Sequence, residues 1–339
     1  MKKYIYIIIF LLLITGCGKK ISQKTSLGTN YYNVATPYKK AASNNYIVNN
    51  MNSYDIDEVE SSLMEISNLY FYSDTSYYQD GQYLTTDFLK KVLSKEYLNN
   101  YESFEIDGVK INPYYITGIS EQNYLDIDGN LKGISLGIIL NPYQSYKNKY
   151  GITLYKEVEE SKIIKIGEDI TNKLLLEVRK IQQLKKSKIL VALYIQGSPL
   201  NNNNGSYKKY GITANNKVNF KNNMQFEYYI TSDYVMKNNN DIYSSFISLE
   251  KELKQNIPKL YLIGNCNYKN SELKNITLTI TASSLSKSEI LISSQIVSDN
   301  ILKNNLNNII IYIKENNNIK AIIDKKRNEK TNIHILEGI

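Results

Sequence analysis

The stretch that decides the fold begins LKGISLGIILNP (Leu131–Pro142) and ends KILVALYIQG (Lys188–Gly197). Both ends are apolar runs of strand length, and the second has the continuous apolar character of a strand buried on both faces. Between them, Ile164–Leu184 repeats apolar residues every three or four positions, which predicts an amphipathic helix. The stretch therefore predicts a strand–helix–strand unit.

The same order of elements is found a second time further along the chain. Asn275–Ser283 alternates like a strand, Ser286–Glu289 has the sequence of a capping box, and Ile309–Glu315 has the pattern of the next strand. An amphipathic helix precedes each unit, at Asp57–Tyr70 and at Ser244–Asn256. The predicted fold class is α+β, with two tandem related repeats, each made of helices packed on a mixed or antiparallel sheet.

The N-terminal stretch MKKYIYIIIFLLLITGC (Met1–Cys17) has the pattern of an export signal. Its apolar run is well short of the roughly 20 residues of a spanning helix. Because Ile14-Thr15-Gly16-Cys17 matches the pattern of bacterial lipoprotein precursors, we expect cleavage between Gly16 and Cys17 and a diacylglyceryl group on the Cys17 thiol. The alternatives are an ordinary signal peptide with a chance cysteine and an uncleaved short anchor.

These patterns divide the 339 residues into four segments. The polar, aperiodic residues after Cys17 predict a flexible tether, and the Asn/Gly run Asn201–Ser206 predicts the boundary between the repeats. The predicted location is the extracellular face of the cell membrane, with the membrane and the lipoprotein-processing enzymes as partners. The segments are 1–16, a signal peptide; 17–45, the lipidated cysteine and tether; 46–200, the first repeat; and 206–339, the second repeat.

Composition argues against several classes of function. Lys and Arg exceed Asp and Glu by 41 to 33, but the excess is spread along the chain, so a nucleic-acid partner is not expected. Cys266 stands in an apolar context and is predicted to be a buried, unpaired thiol. His334 is the only histidine, and no zinc, redox, nucleotide or dinucleotide motif is found, so we expect no cofactor.

Carboxylates are the remaining candidates for catalysis. Two of them flanking a sugar bond are enough for a glycosidase, so a cell-wall hydrolase is one alternative function. Glu121 and the cluster Glu157-Glu159-Glu160 have no distinguishing context, and clustered charges of this kind are usually solvated helix ends. We therefore predict a non-enzymatic protein.

The stretch YYQDGQYL (Tyr77–Leu84) contains the candidate binding residues Tyr78, Asp80 and Tyr83. Asp80-Gly81 predicts a tight turn, which would gather aromatic faces and one acceptor on a short exposed element. The alternative is that Asp80-Gly81 only makes a turn, while the tyrosines pack on a helix.

YQDGQYL (Tyr78–Leu84) resembles a stretch of the CamS family of Firmicute lipoproteins, described as sex pheromone precursors related to cAM373. Order and spacing agree over roughly Thr36 to Ser283. The resemblance implies two tandem repeats. It also implies that the apolar residues before the lipidated cysteine, here about Phe10–Gly16 (FLLLITG), are released and trimmed to a peptide that neighbouring bacteria sense. Supporting residues are Asn112-Pro113, Tyr115-Ile116, Glu121-Gln122-Asn123-Tyr124 and the strand Gly133–Leu140.

The exported domain is predicted to bind a ligand of unknown identity, because delivering a short peptide does not require a large folded domain. A rival function is the solute-binding lipoprotein of a transporter, which would have largely parallel sheets and chain crossings between two lobes. The alternating strands predicted near Tyr207–Tyr229 and Ile309–Leu336 argue against that rival.

Overall fold

The computed structural model describes residues 31–41, 56–200, 205–223, 225–269 and 271–336. The chain divides into two compact units between Asn223 and Met224. The predicted signal peptide, Met1–Gly16, and Cys17 lie outside the described residues, so cleavage and lipidation stay predictions. Within the described residues, no helix combines the length and the hydropathy needed to span a bilayer.

The first unit is built on a mixed sheet with helices on both faces. Its strand order is β1-β2-β5-β6-β9-β10-β11, and two further hairpins pair β3 with β4 and β7 with β8. The strands are β1 (Asn33–Val34), β2 (Tyr77–Asp80), β3 (Phe104–Ile106), β4 (Val109–Ile111), β5 (Ile116–Leu125), β6 (Leu131–Leu140), β7 (Tyr143–Lys147), β8 (Thr153–Glu157), β9 (Lys188–Ile195), β10 (Ser206–Thr213) and β11 (Lys221–Asn222), and the helices are α1 (Ile56–Ser67), α2 (Thr86–Val92) and α3 (Glu160–Val178).

The predicted strand–helix–strand unit is confirmed as β6–α3–β9. The two strands are parallel neighbours, in register from Gly133 opposite Lys188 to Leu140 opposite Ile195. The helix ends at Val178 rather than at the predicted Leu184, because the backbone at Ile181 is extended and a separate 3-10 turn follows it. The apolar periodicity continues past that break, which is why the sequence predicts a longer helix.

Strand β9 contributes side chains to a core on each face of the sheet. Ile189 and Val191 pack in the cluster that includes α2 and α3, whereas Leu190 and Ala192 pack in the cluster that includes α1. Successive side chains of a strand point to opposite faces, so a strand covered on both sides must be apolar throughout. Burial on both faces therefore explains the continuous apolar run in β9.

Part of the predicted tether belongs to the first unit. Asn33 and Val34 pair in parallel with Tyr77 and Tyr78, and Tyr32 is buried with its ring centroid 5.1 Å from that of Tyr124. The prediction of a flexible tether up to residue 45 is therefore wrong for these residues. The free edge of β2 forms backbone hydrogen bonds with Asn33 and Val34. Such pairing with a distant strand cannot be predicted from the sequence around these two residues.

The first unit also extends beyond the predicted boundary at Asn201–Ser206. Strand β10 pairs antiparallel with β9, and Lys209 and Tyr210 in turn pair with β11. Residues 206–223 therefore belong to the first unit and not to the second repeat, since their backbone hydrogen bonds are made to the first sheet.

The second unit has a six-stranded sheet in the order β12-β13-β14-β15-β16-β17. Its capping box at Ser286 and Glu289 is formed as predicted, and Cys266 is a buried free thiol whose pKa burial raises to about 12. The strands are β12 (Gln225–Tyr229), β13 (Tyr261–Lys269), β14 (Glu272–Ala282), β15 (Ile309–Glu315), β16 (Asn318–Lys325) and β17 (Asn332–Ile335), and the helices are α4 (Asp233–Asn238), α5 (Asn240–Asn256) and α6 (Lys287–Lys303).

One sequence of strand pairings is common to the two sheets. From β2 to β10 the neighbours pair antiparallel, antiparallel, parallel and antiparallel, and the pairs from β12 to β16 follow the same sequence. A helix joins the two parallel strands in each case, α3 in the first unit and α6 in the second. The α+β prediction is confirmed, whereas a relationship between the two repeats stays a prediction.

Helix α3 offers a matched pair of substitutions that tests its packing. Leu174 is fully buried, whereas Leu176 is 52% exposed on the same helix. We expect Leu174→Ala to lower the free energy of unfolding of the first unit by about 2–5 kcal/mol, because it leaves a cavity in the core. Leu176→Ala should change it by about 0.5 kcal/mol or less. Urea denaturation followed by circular dichroism measures both, and equal losses would contradict the packing described.

Candidate functional site

The stretch YYQDGQYL forms a strand followed by a loop that closes around a buried carboxylate. Glu121 on β5 is 1% exposed. Its Oε1 accepts the backbone N–H groups of Gln82 and Tyr83, each at 3.0 Å, and its Oε2 accepts that of Leu84 at 2.8 Å. The predicted tight turn is therefore wrong, because the backbone of residues 82–84 folds around an acceptor that comes from another strand.

The close approach of Gly81 to Glu121 explains the glycine of this motif. A Cβ on residue 81 would lie 2.5 Å from the Cβ of Glu121. Burial raises the pKa of Glu121, and the three N–H donors oppose that rise by stabilising the ionised form. Enclosed in this way, the carboxylate is closed to a substrate, so its role in the structure is to hold the loop.

The structure brings together only two of the three predicted binding residues. The hydroxyls of Tyr38 and Tyr78 donate to the two oxygens of Asp80, each at 2.9 Å, and Asp80 is 6% exposed. Tyr78 packs in the core cluster of α1, whereas Tyr83 packs in the cluster of α2 and α3. Tyr78 and Tyr83 are therefore half-buried against different cores, and the exposed aromatic element that the sequence predicts is not formed.

A polar cleft of about 310 Å³ lies at the carboxyl ends of the parallel strands β6 and β9. In open sheets with helical crossovers, ligands bind in the crevice outside the carboxyl ends of such strands. The sequence does not reveal this cleft directly, because its lining comes from well-separated segments; the strand–helix–strand pattern is the one signal for it. The polar lining residues are Tyr143, Glu157, Glu160, Gln196, Ser198, Ser206 and Lys208.

The cleft carries hydrogen-bonding groups of both charges. The hydroxyl of Tyr143 donates to Glu157 at 3.3 Å, and burial together with this carboxylate raises the pKa of Tyr143. On the other wall, the Lys208 ammonium lies 3.5 Å from the Glu160 carboxylate, which is at the start of α3. Glu157 and Glu160 are solvated, as predicted for their cluster. Their contacts are long, so a bound ligand can replace them at small cost.

Other candidates for chemistry lie apart from this cleft. His334 is on β17 and is exposed, with its ring 4.0 Å from the Asp324 carboxylate. In the part of the chain that the structure describes, no group of three or more His, Cys, Asp or Glu side chains could hold a metal ion.

A family model described as "CamS sex pheromone cAM373 precursor" matches residues 38–331. The fold is similar to that of the sex pheromone precursor of Lactobacillus salivarius, with a TM-score of 0.83 and 20% identity over 94% of this chain and 99% of that one. The C-terminal domain of the staph-cAM373 precursor of Staphylococcus aureus gives 0.70 and 21% over 85% and 98%. No curated protein sequence matches significantly. The predicted resemblance is confirmed.

The contact between Glu121 and the loop can be tested by two substitutions. We expect Glu121→Gln to lower the free energy of unfolding by about 2–3 kcal/mol, because an amide turns a donor toward buried N–H groups. Gly81→Ala should also destabilise, since its methyl group collides with the Glu121 side chain. Glu157→Gln, an isosteric change at an exposed carboxylate, is the control. Thermal unfolding measures all three, and a neutral Glu121→Gln would contradict the structural role.

Proposed function

The chain belongs to the CamS family of sex pheromone cAM373 precursors, and from this we propose that it is a lipid-anchored surface protein that releases a short apolar peptide. The observation that carries the proposal is the sequence Ile14-Thr15-Gly16-Cys17, which precedes a domain of this family. Peptidase cleavage before Cys17 leaves the lipidated chain on the membrane. The same cut frees a fragment that ends FLLLITG (Phe10–Gly16).

The exported domain is proposed to be a binding module without enzymatic activity. The enclosure of Glu121 by three backbone N–H groups supports this, because it removes one candidate carboxylate from contact with a substrate. The cleft at the carboxyl ends of β6 and β9 is the proposed binding site. Its volume lies at the lower end of the range for small-molecule sites, about 300–1,000 Å³.

The chemistry of the cleft favours a short zwitterionic peptide as its ligand. Glu157 and Glu160 suit an ammonium group, and Lys208 suits a carboxylate. Tyr143 and Ser198 line the same cleft, and their hydroxyls can donate to or accept from the amide groups of a peptide. The rival function as a transporter's solute-binding protein finds less support, since most neighbouring strands in both sheets pair antiparallel.

The precursor role is tested by mass spectrometry of culture supernatant. We expect the strain with the native chain to release FLLLITG or a trimmed form of it, and Cys17→Ala to abolish both release and acylation, because the processing enzymes require the thiol. Ser22→Ala, five residues beyond Cys17, is the control and should leave release unchanged. An acylated chain without any released peptide would contradict the proposed peptide release but not the proposed lipid anchor.

The cleft is tested by NMR titration of the chain from Gly18 onward with tri-alanine. We expect tri-alanine to shift the resonances of residues around Ser198, and Lys208→Gln to weaken the binding about tenfold, because a charge-assisted hydrogen bond to the carboxylate is lost. Lys209→Gln is the matched control, since the adjacent side chain pairs with Glu168 outside the cleft lining. Absence of shifts, or equal effects of the two substitutions, would reject this assignment.

The rival function as a wall hydrolase predicts a cleared band on a peptidoglycan zymogram. We expect none for the native chain.

A further inference from the structure

A second groove, of about 590 Å³, lies at the opposite ends of the same two strands, where β6 and β9 begin. Four of its lining residues are lysines, and none of its lining residues is acidic. We call it the basic groove, and its polar lining includes Lys132, Lys185, Lys186, Lys188, Gln182 and Gln183.

The charge of the basic groove is not neutralised by the first unit itself. Lys185, Lys186 and Lys188 are exposed, and none of them forms an ion pair with any residue that the structure describes. The Lys132 ammonium donates to neutral partners, the carbonyl of Thr75 and the hydroxyl of Ser76, each at 2.9 Å. Four like charges in the lining of one groove favour a polyanionic partner.

Three carboxylates near the groove reduce this charge in part: Asp126 and Asp128 in the turn between β5 and β6, and Asp74, which precedes Thr75. Asp126, in the turn between β5 and β6, accepts the backbone N–H groups of Asp128 and Asn130 at 2.9 and 2.8 Å. These bonds and the nearby Lys132 lower its pKa, so it is ionised. It belongs to its own turn and does not line the groove.

The register of the sheet places the entry of the N-terminal chain on this edge. Asn33 lies opposite Tyr77, Tyr77 opposite Leu125, and Leu125 opposite Leu131, at the start of β6. Only residues 18–30 separate Cys17 from the described chain. Even a fully extended chain of that length spans at most about 50 Å, so a lipid on Cys17 would tether this edge to the bilayer surface.

Exposed aromatic and apolar side chains lie on the same edge. Tyr72, just before Thr75, is 61% exposed, and Ile127, at the tip of the β5–β6 turn, is 47% exposed. Tyrosine is enriched at membrane–water interfaces, where lysines contact anionic headgroups. A soluble anionic polymer offers no apolar phase for Ile127. The combination therefore favours a membrane over such a polymer.

We propose that the basic groove and the side chains around it form a docking surface for a bilayer containing anionic phospholipid. This inference rests on the proposed lipid anchor for its biological setting, because one anchor alone would leave the first unit free to rotate. With the edge seated on headgroups, the cleft at the other end of β6 and β9 points away from the membrane.

The test is cosedimentation of the unlipidated chain from Gly18 to Ile339 with phosphatidylcholine vesicles, with and without phosphatidylglycerol. We expect binding only when phosphatidylglycerol is present, with a loss of binding as the salt concentration rises. Replacing Lys185, Lys186 and Lys188 together by Gln should weaken binding by about a hundredfold, because each lysine near an anionic surface contributes about fivefold.

The matched control removes the same charge from the hairpin at the other end of β6. Lys147, Lys149 and Lys156 are exposed there, and their joint replacement by Gln should leave vesicle binding unchanged. Equal weakening by the two triple variants would overturn the proposal in favour of overall charge. Binding to soluble polyphosphate but not to vesicles would overturn it in favour of a polymer. Because this chain carries no lipid, failure here is distinguishable from failure of the proposed acylation.

Discussion

The first unit depends on the parallel pairing of β6 with β9, which α3 makes possible by returning the chain across one face of the sheet. Eight pairs of residues are in register, from Gly133 and Lys188 to Leu140 and Ile195. Parallel strands with one connection place both of their carboxyl ends on one edge and both of their amino ends on the other. The polar cleft lies at the first of these edges and the basic groove at the second. The two sites are therefore at opposite ends of the same pair of strands.

Local periodicity is sufficient to predict the elements whose own residues determine their structure. Lys188–Gly197 contains an unbroken apolar run because its successive side chains pack in two different cores. Ser286–Glu289 contains both residues of the capping box that begins α6. The edge strand Asn33–Val34 is not predicted, for the converse reason: it is a strand because β2 offers hydrogen bonds, and its own sequence shows no apolar run. Alternating strands are predicted near Tyr207–Tyr229, but the sequence does not show that Ser206–Thr213 pairs with the first sheet. Pairing between segments that are far apart in the chain cannot be predicted from a stretch of about ten residues.

The candidate site shows the same limit more sharply. Asp80-Gly81 has the composition of a tight turn, yet the conformation of this loop is set by Glu121, which lies 40 positions further along the chain. The sequence indicates that the YYQDGQYL motif is important but not what it does, because nothing near Glu121 in the sequence shows that three backbone N–H groups surround its carboxylate. The cleft residues were not identified, since they converge only after β6 and β9 have paired.

The contact between Gly81 and Glu121 also constrains how this sequence can change over time. A side chain at position 81 would occupy the space of the Glu121 stem, and a shorter residue at 121 would strand the loop's N–H groups without an acceptor. Neither position can drift alone. Substitutions at the two sites should therefore arise together across related chains, as a covarying pair whose origin is the architecture of one loop and not the recognition of a ligand.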